Sequence, residues 1–79
     1  MNIENEIQKI ISNIIGRNIE DFNVSLFDYG LDSFKAIGMI VELEKTFDIR
    51  IPDEMLMIDC WETMAKILEN VKTIISMYK

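Results

Sequence analysis

Ser33 is the nucleophile in this 79-residue chain whose surroundings invite a chemical question. It lies in "DYGLDSFKAI", residues 28–37, where an acidic, glycine-containing loop gives way to a helix-like apolar pattern. Taken alone, Asp-Ser at such a junction reads as a helix N-cap. A nucleophilic serine needs a general base, usually histidine, and the chain has no histidine. Lys35 is two residues away, so on a helix it points elsewhere. No glycine-rich phosphate loop of the P-loop or Rossmann type is present. The stretch lacks the ligand spacing of a calcium loop, and no Glu falls at the closing position. With no His and only Cys60, the usual nitrogen and sulfur metal ligands are missing too. These residues argue against an enzyme and against a metal protein. If Ser33 serves chemistry, another protein acts on it.

Composition narrows the classes further. Fourteen acidic and eight basic residues give a net charge of -6, which argues against nucleic-acid binding and suits partners with basic patches. No apolar run approaches a membrane span. Residues 1–15 alternate Ile with Glu, Asn and Lys, unlike a signal peptide. A single cysteine excludes an internal disulfide and fits a reducing compartment. The expectation is a cytoplasmic monomer, with residues 1–79 forming one domain. That length is near the lower limit for a self-sufficient core, but 49% hydrophobic residues with one Pro and three Gly suffice to build one.

The elements that must position Ser33 follow from apolar periodicity. Ile3, Ile7, Ile10, Ile11 and Ile14 share one helical face, Asn2 is placed to cap its start and Gly16 to end it. Residues 16–31 show no convincing helix or strand, long for so small a chain, with Ile19, Phe22, Val24, Leu26 and Phe27 as apolar anchors. A second helix is predicted from about Ser33 to Phe47, its apolar face formed by Ala36, Ile37, Ile40, Val41, Leu43 and Phe47. Glu44 falls near the middle of that face, so its carboxylate requires a hydrogen-bond donor, sought in the long loop. Phe34 falls at the edge of the face beside Gly38, and a helical glycine costs about 1 kcal/mol relative to Ala. Pro52 with Asp53 and Glu54 predicts a short helix from about Pro52 to Met57. Asp59, with Glu62 three residues on, reads as the capping box of the last helix, whose buried stripe is Trp61, Met64, Ala65, Leu68, Val71 and Ile75. Glu62 with Lys66 and Glu69 with Lys72 are spaced for exposed ion pairs. The predicted fold class is all-α: a small bundle of three main helices and one short one, with a long first loop.

At this point the chain resembles a known family. "DYGLDSFKAIGMIVELEKTFDIRIPDE" is similar to the core of acyl and peptidyl carrier proteins: a Gly-x-Asp-Ser stretch, a large apolar residue, a helix, then a Leu-Glu…Phe…Ile…Pro segment. Gly30, Asp32, Ser33, Phe34, Leu43, Glu44, Phe47, Ile51 and Pro52 supply these features. The resemblance implies the acyl-carrier-protein-like bundle. It also implies that a phosphopantetheinyl transferase moves 4'-phosphopantetheine from coenzyme A onto the Ser33 hydroxyl, with the flanking Asp32 serving transferase recognition. An adenylating or acyl-loading enzyme then charges the arm's thiol with an acyl or aminoacyl thioester, which the carrier presents to downstream synthase or tailoring enzymes without catalysing anything itself. A helix N-terminus suits a phosphodiester, since unpaired N–H groups and the dipole favour negative charge there. The position of Ser33 leaves open whether the cargo swings out or leans into the core.

The branch of the family is read from the residues after Ser33. Carriers of dissociated fatty-acid synthesis typically have a strongly acidic helix there. Here Lys35 and Gly38 occupy that stretch and Glu42 is the first acid after Asp32, so electrostatic docking is expected to be weaker. Phe34, Gly38 and Met39 are the expected partner contacts, Met being adaptable to several partners. That profile favours a free-standing peptidyl-type or specialised acyl carrier of the nonribosomal-peptide or polyketide kind. The alternatives are a housekeeping fatty-acid carrier and, from the "DxWET" stretch at Asp59, a D-alanyl carrier. A rival of another class is an unmodified helical interaction module, which has no use for the Ser33 hydroxyl.

Overall fold

The computed structural model describes residues 2–78. Four α-helices carry it: α1 (Ile3–Ile15), α2 (Ser33–Phe47), the four-residue α3 (Ile58–Trp61) and α4 (Met64–Met77). Two 3-10 turns, Leu26–Tyr29 and Asp53–Met55, lie in the connections. The all-α class, with three main helices, one short helix and a long first connection, is as the sequence predicts, although the short helix stands at Ile58–Trp61 rather than at Pro52–Met57.

Helix α1 follows its apolar pattern. Ile7, Ile11 and Ile15 are buried, Asn2 accepts the Asn5 N–H at 3.0 Å, and Gly16 closes the helix in the left-handed region at φ 90°. Among the described residues, sixteen buried hydrophobics form one cluster drawn from all four helices and both long connections. Exposed charge adds little to it. The Lys72–Glu4 pair at 3.1 Å is half in solvent, a class worth tenths of a kcal/mol. Among the described residues, the expected Glu62–Lys66 and Glu69–Lys72 pairs are absent; Lys72 reaches back to α1 instead.

The long first connection is pinned rather than loose. Leu26 is fully buried and Ile19 nearly so, whereas Phe22 and Val24 are half-buried and Phe27 lies on the surface. Two backbone hydrogen bonds dock the connection onto the chain around Glu62: the Leu26 N–H donates to the Glu62 carbonyl at 2.7 Å, and the Ala65 N–H to the Phe22 carbonyl at 3.0 Å. Ser25 and Thr63 form an isolated antiparallel bridge between them. The Tyr29 hydroxyl accepts the Asp21 N–H at 3.0 Å, and the Arg17 guanidinium stacks over the Tyr29 ring at 4.9 Å.

This docking explains a correction. Asp59 does not cap the last helix; it sits inside α3. The chain breaks at Glu62–Thr63, where the long connection takes up the backbone groups that would have continued the helix. Thr63 caps α4 instead, accepting the Lys66 N–H at 3.2 Å. Ile67 and Ile74 join Met64, Leu68 and Val71 in the buried stripe, while Ala65 and Ile75 are only half-buried. The predicted helix Pro52–Met57 contracts to the single 3-10 turn Asp53–Met55, closed by bonds from the Met55 N–H to the Pro52 carbonyl at 2.9 Å and from the Leu56 N–H to the Asp53 carbonyl at 3.1 Å, while the Trp61 indole N–H holds the Met55 carbonyl.

Helix α2 has the predicted bounds but a different inner face. Met39 and Leu43 are fully buried, Ala36, Ile40 and Phe47 are half-buried, and Ile37 and Val41 are exposed. Hydrophobicity alone does not separate an isoleucine facing the core from one facing outward; packing against α1 makes that choice. The donor for Glu44 comes not from the long first loop but from the connection after α2, as the Ile51 N–H at 2.9 Å.

Leu26→Ala is expected to cost about 2–5 kcal/mol, the usual range for a leucine truncated in a packed core. Chemical denaturation checks this, and a loss below about 1 kcal/mol would mean that the connection is not held by Leu26.

Candidate functional site

The approach to Ser33 is built residue by residue. The 3-10 turn ends at Gly30, φ 110°, whose N–H donates to the Phe27 carbonyl at 3.2 Å, while the Leu31 N–H reaches the Leu26 carbonyl at 3.0 Å. A side chain is strained at that φ, which is why glycine stands there. Leu31 then drops into the core, 5% exposed. Asp32 turns extended and caps α2, its carboxylate accepting the Lys35 N–H at 2.7 Å. Ser33 is therefore the first helical residue, with its side chain in solvent. Capping is done by Asp32, so the Ser33 hydroxyl is left available.

Ser33 stands on the edge of an open groove of about 380 Å³. Phe27 and Leu31 wall it on the side of the first connection, Ile37, Ile40 and Val41 on the side of α2, and Leu56 and Trp61 on the far side. The lining is almost wholly carbon, with the Ser33 hydroxyl at the margin. Ile37 and Leu56 on its walls are 67% and 46% exposed, and Phe34, the residue after Ser33, is 84% exposed. Side chains this exposed contribute little to the core, and their concentration around one serine marks an interaction face.

Of the expected contact residues, Phe34 projects fully into solvent and Gly38 lies exposed on α2 with nothing within 4 Å of the position a Cβ would take. Met39 is different. It is fully buried and forms the inner wall of the groove, so it does not present a surface to a partner. The helical turn that exposes Gly38 directs Met39 toward α1. Ile37, Val41, Leu56 and Phe27, taken from the sequence as core or left unassigned, are the residues on this face. No pattern within the sequence marks them, because Leu56 and Phe27 join α2 only in three dimensions.

The site meets the demands of a covalently attached phosphate ester. Its hydroxyl is exposed, the N–H groups of Ser33 and Phe34 belong to the first turn and have no intrahelical acceptor, and the helix dipole favours negative charge at that end. The groove leaves room for an attached chain. Among the described residues no group of three or more His, Cys, Asp or Glu is placed to hold a metal, and no helix is long and apolar enough to cross a membrane.

Comparison with known proteins decides the family. Residues 5–71 match the model of the phosphopantetheine attachment site. The chain belongs to the phosphopantetheine-binding carrier family. Similar curated proteins include the D-alanyl carrier proteins of Streptococcus mutans, 40% identical, and Streptococcus sanguinis, 41% identical, each over 73 residues, 90% of this chain and 92% of the relative. The D-alanyl carrier protein of Streptococcus thermophilus matches equally, at 40% over the same span. The protein is thus a carrier, not an enzyme: it holds its cargo as a thioester on covalently attached 4'-phosphopantetheine. Members of this family meet a phosphopantetheinyl transferase and a loading enzyme.

Two substitutions test the local reading of α2. Gly38→Ala is expected to raise stability by about 1 kcal/mol, since Ala is the better helix former and the space is empty. Asp32→Ala is expected to lower it by about 1 kcal/mol through loss of the cap. Thermal and urea denaturation read both; a destabilising Gly38→Ala would show that the glycine serves packing instead.

Proposed function

We propose that Ser33 is the attachment point of the arm and that the protein carries an activated amino acid, D-alanine in the first instance. The observation that carries the assignment of Ser33 is its placement: a free, exposed hydroxyl on the first turn of α2 at the edge of an apolar groove. In the transfer step the Ser33 oxygen bonds to the phosphorus that bears the pantetheine. The pyrophosphate bond of coenzyme A breaks, adenosine 3',5'-bisphosphate leaves, and the hydroxyl proton passes to a base of the transferase. The first-turn N–H groups favour the resulting phosphodiester charge. Asp32 keeps that turn organised while its own carboxylate is engaged with the Lys35 N–H. Once attached, the arm supplies a terminal thiol that holds the cargo as a thioester.

The choice of D-alanine rests on the relatives of that name, which align over nine-tenths of this chain, and on the Asp59-Cys60-Trp61-Glu62-Thr63 stretch. The exposed face of α2 agrees with an aminoacyl carrier, because Phe34, Ile37 and Gly38 stand where an acidic docking helix would place carboxylates. The same face supports the second reading, a peptidyl-type carrier of specialised biosynthesis taking a different amino acid. A housekeeping fatty-acid carrier fits less well, since electrostatic attraction to basic enzymes is weak along this helix. On either aminoacyl reading, residues 1–79 work as one cytoplasmic carrier unit, a monomer that meets in turn the transferase, an adenylating enzyme and an acceptor enzyme.

Intact-protein mass spectrometry after incubation with coenzyme A and a broad-specificity phosphopantetheinyl transferase is expected to show a gain of one phosphopantetheine, absent in Ser33→Ala. No gain in folded wild-type protein would remove Ser33 as the site. The carrier bearing the arm is then offered to an ATP-dependent D-alanine-adenylating enzyme and to malonyl and amino-acid loading enzymes. A D-alanyl thioester is expected, and charging by malonyl transfer alone would overturn the aminoacyl reading. Phe34→Ala is expected to leave stability within about 0.5 kcal/mol, as for an exposed side chain, yet slow aminoacyl loading. Unchanged loading kinetics would exclude Phe34 as a contact.

A further inference from the structure

The wall of the groove opposite α2 belongs to the connection between α2 and α3, which is held in an unusual way. Residues 49–52 form no helix, strand or turn, and Pro52 is extended. Ile49 and Ile51 point inward, 8% and 4% exposed, and Arg50 points out. Backbone groups in such a segment must find partners or face water, and here they come from the end of α2 and from Tyr78: the Ile49 N–H donates to the Glu44 carbonyl at 3.1 Å. The Glu44 carboxylate accepts the Ile51 N–H at 2.9 Å. The Tyr78 hydroxyl, 28 residues away, accepts the Arg50 N–H at 2.7 Å and donates to the Arg50 carbonyl at 3.2 Å, gripping both backbone groups of one residue. Beyond Pro52 the next fixed point is the Met55 carbonyl, bonded by the Trp61 indole. Leu56, which lines the groove with Ser33, follows at once.

We propose that Tyr78 and Glu44 are positioning residues for the carrier's transfer reactions. By clamping Arg50 and Ile51 they set where Leu56 stands across from Ile37 and Val41, and so fix the width of the apolar face that an enzyme meets beside Ser33. Neither residue lines the groove. Tyr78 is 57% exposed, so its hydroxyl contributes to this connection rather than to the core. The end of α4 thereby governs docking at the start of α2. This inference rests on the carrier reading and on Ser33 as the site.

The test uses the full chain, coenzyme A and a broad-specificity phosphopantetheinyl transferase, with the KM for the carrier and kcat measured separately. Tyr78→Phe keeps the ring and removes both hydrogen bonds. It is expected to raise KM about three- to tenfold with kcat unchanged, the scale of one or two lost hydrogen bonds. Glu44→Gln keeps an oxygen acceptor for the Ile51 N–H and is expected to retain the wild-type KM, whereas Glu44→Met is expected to raise it. Amide exchange on the same samples is expected to accelerate at Arg50 in Tyr78→Phe and at Ile51 in Glu44→Met, with Ile11 and Leu43 unchanged. Faster exchange at Arg50 with an unaltered KM would overturn the proposal. So would a KM change accompanied by equal loss of protection at Ile11 and Leu43, which would reflect global stability. Wild-type protein that takes no arm at Ser33 would bring down the site assignment itself, an outcome distinct from failure of the clamp.

Discussion

Leu26 holds the long first connection to the rest of the molecule, and the position of Ser33 follows from it. Its side chain is fully buried, its N–H binds the Glu62 carbonyl, and its own carbonyl accepts the Leu31 N–H. One residue thus joins the first connection to the α3–α4 junction and also closes the turn that delivers Asp32 and Ser33. The turn works only because Gly30 tolerates φ 110°. A sixteen-residue stretch with little regular structure would otherwise lose order to conformational entropy. Here it is fixed by the buried side chains of Ile19, Leu26 and Leu31, two docking hydrogen bonds and the Tyr29 contacts.

The consequence is a division of labour around the site. Asp32 satisfies the helix start, so Ser33 is free to be modified. Helix α2 buries Met39 and Leu43 and leaves Phe34, Ile37 and Val41 outside. Exposed aromatic and aliphatic side chains gain nothing from water, and a chain of net charge -6 has other residue types for solubility. Their gathering around one hydroxyl is intelligible for a carrier that is bound repeatedly and released each time. Shape and apolar contact then set recognition, and the charge spread over the remaining surface sets encounter rates and their salt dependence.

Local chemistry was readable wherever partners are near in sequence. Asn2, Gly16 and Asp32 act over three or four residues, and all three perform the predicted task. The spacing of Ile7, Ile11, Leu43, Met64, Leu68 and Val71 placed them correctly in the core. Most of the misreadings involve a distant partner. Asp59 has the composition of a cap, but the docked first connection moves the helix start to Thr63. Pro52–Met57 has the composition of a helix, but only the 3-10 turn Asp53–Met55 forms before the chain enters α3. Ile37 and Met39 exchanged roles because the orientation of α2 about its axis is set by what packs against it.

The amino-acid sequence by itself determined the class of the fold, the start and end of α1 and α2, and the stretch in which Ser33 stands. These depend on periodicity, caps and a glycine turn, which act within a few residues. Tertiary structure alone decided that Ser33 edges a groove, that Leu56 and Phe27 complete its walls, and that Tyr78 grips Arg50 from 28 residues away. Those relations are hydrogen bonds and contacts between segments whose proximity no local pattern encodes; they exist only once burial of Leu26, Leu43 and Ile67 has brought the segments together.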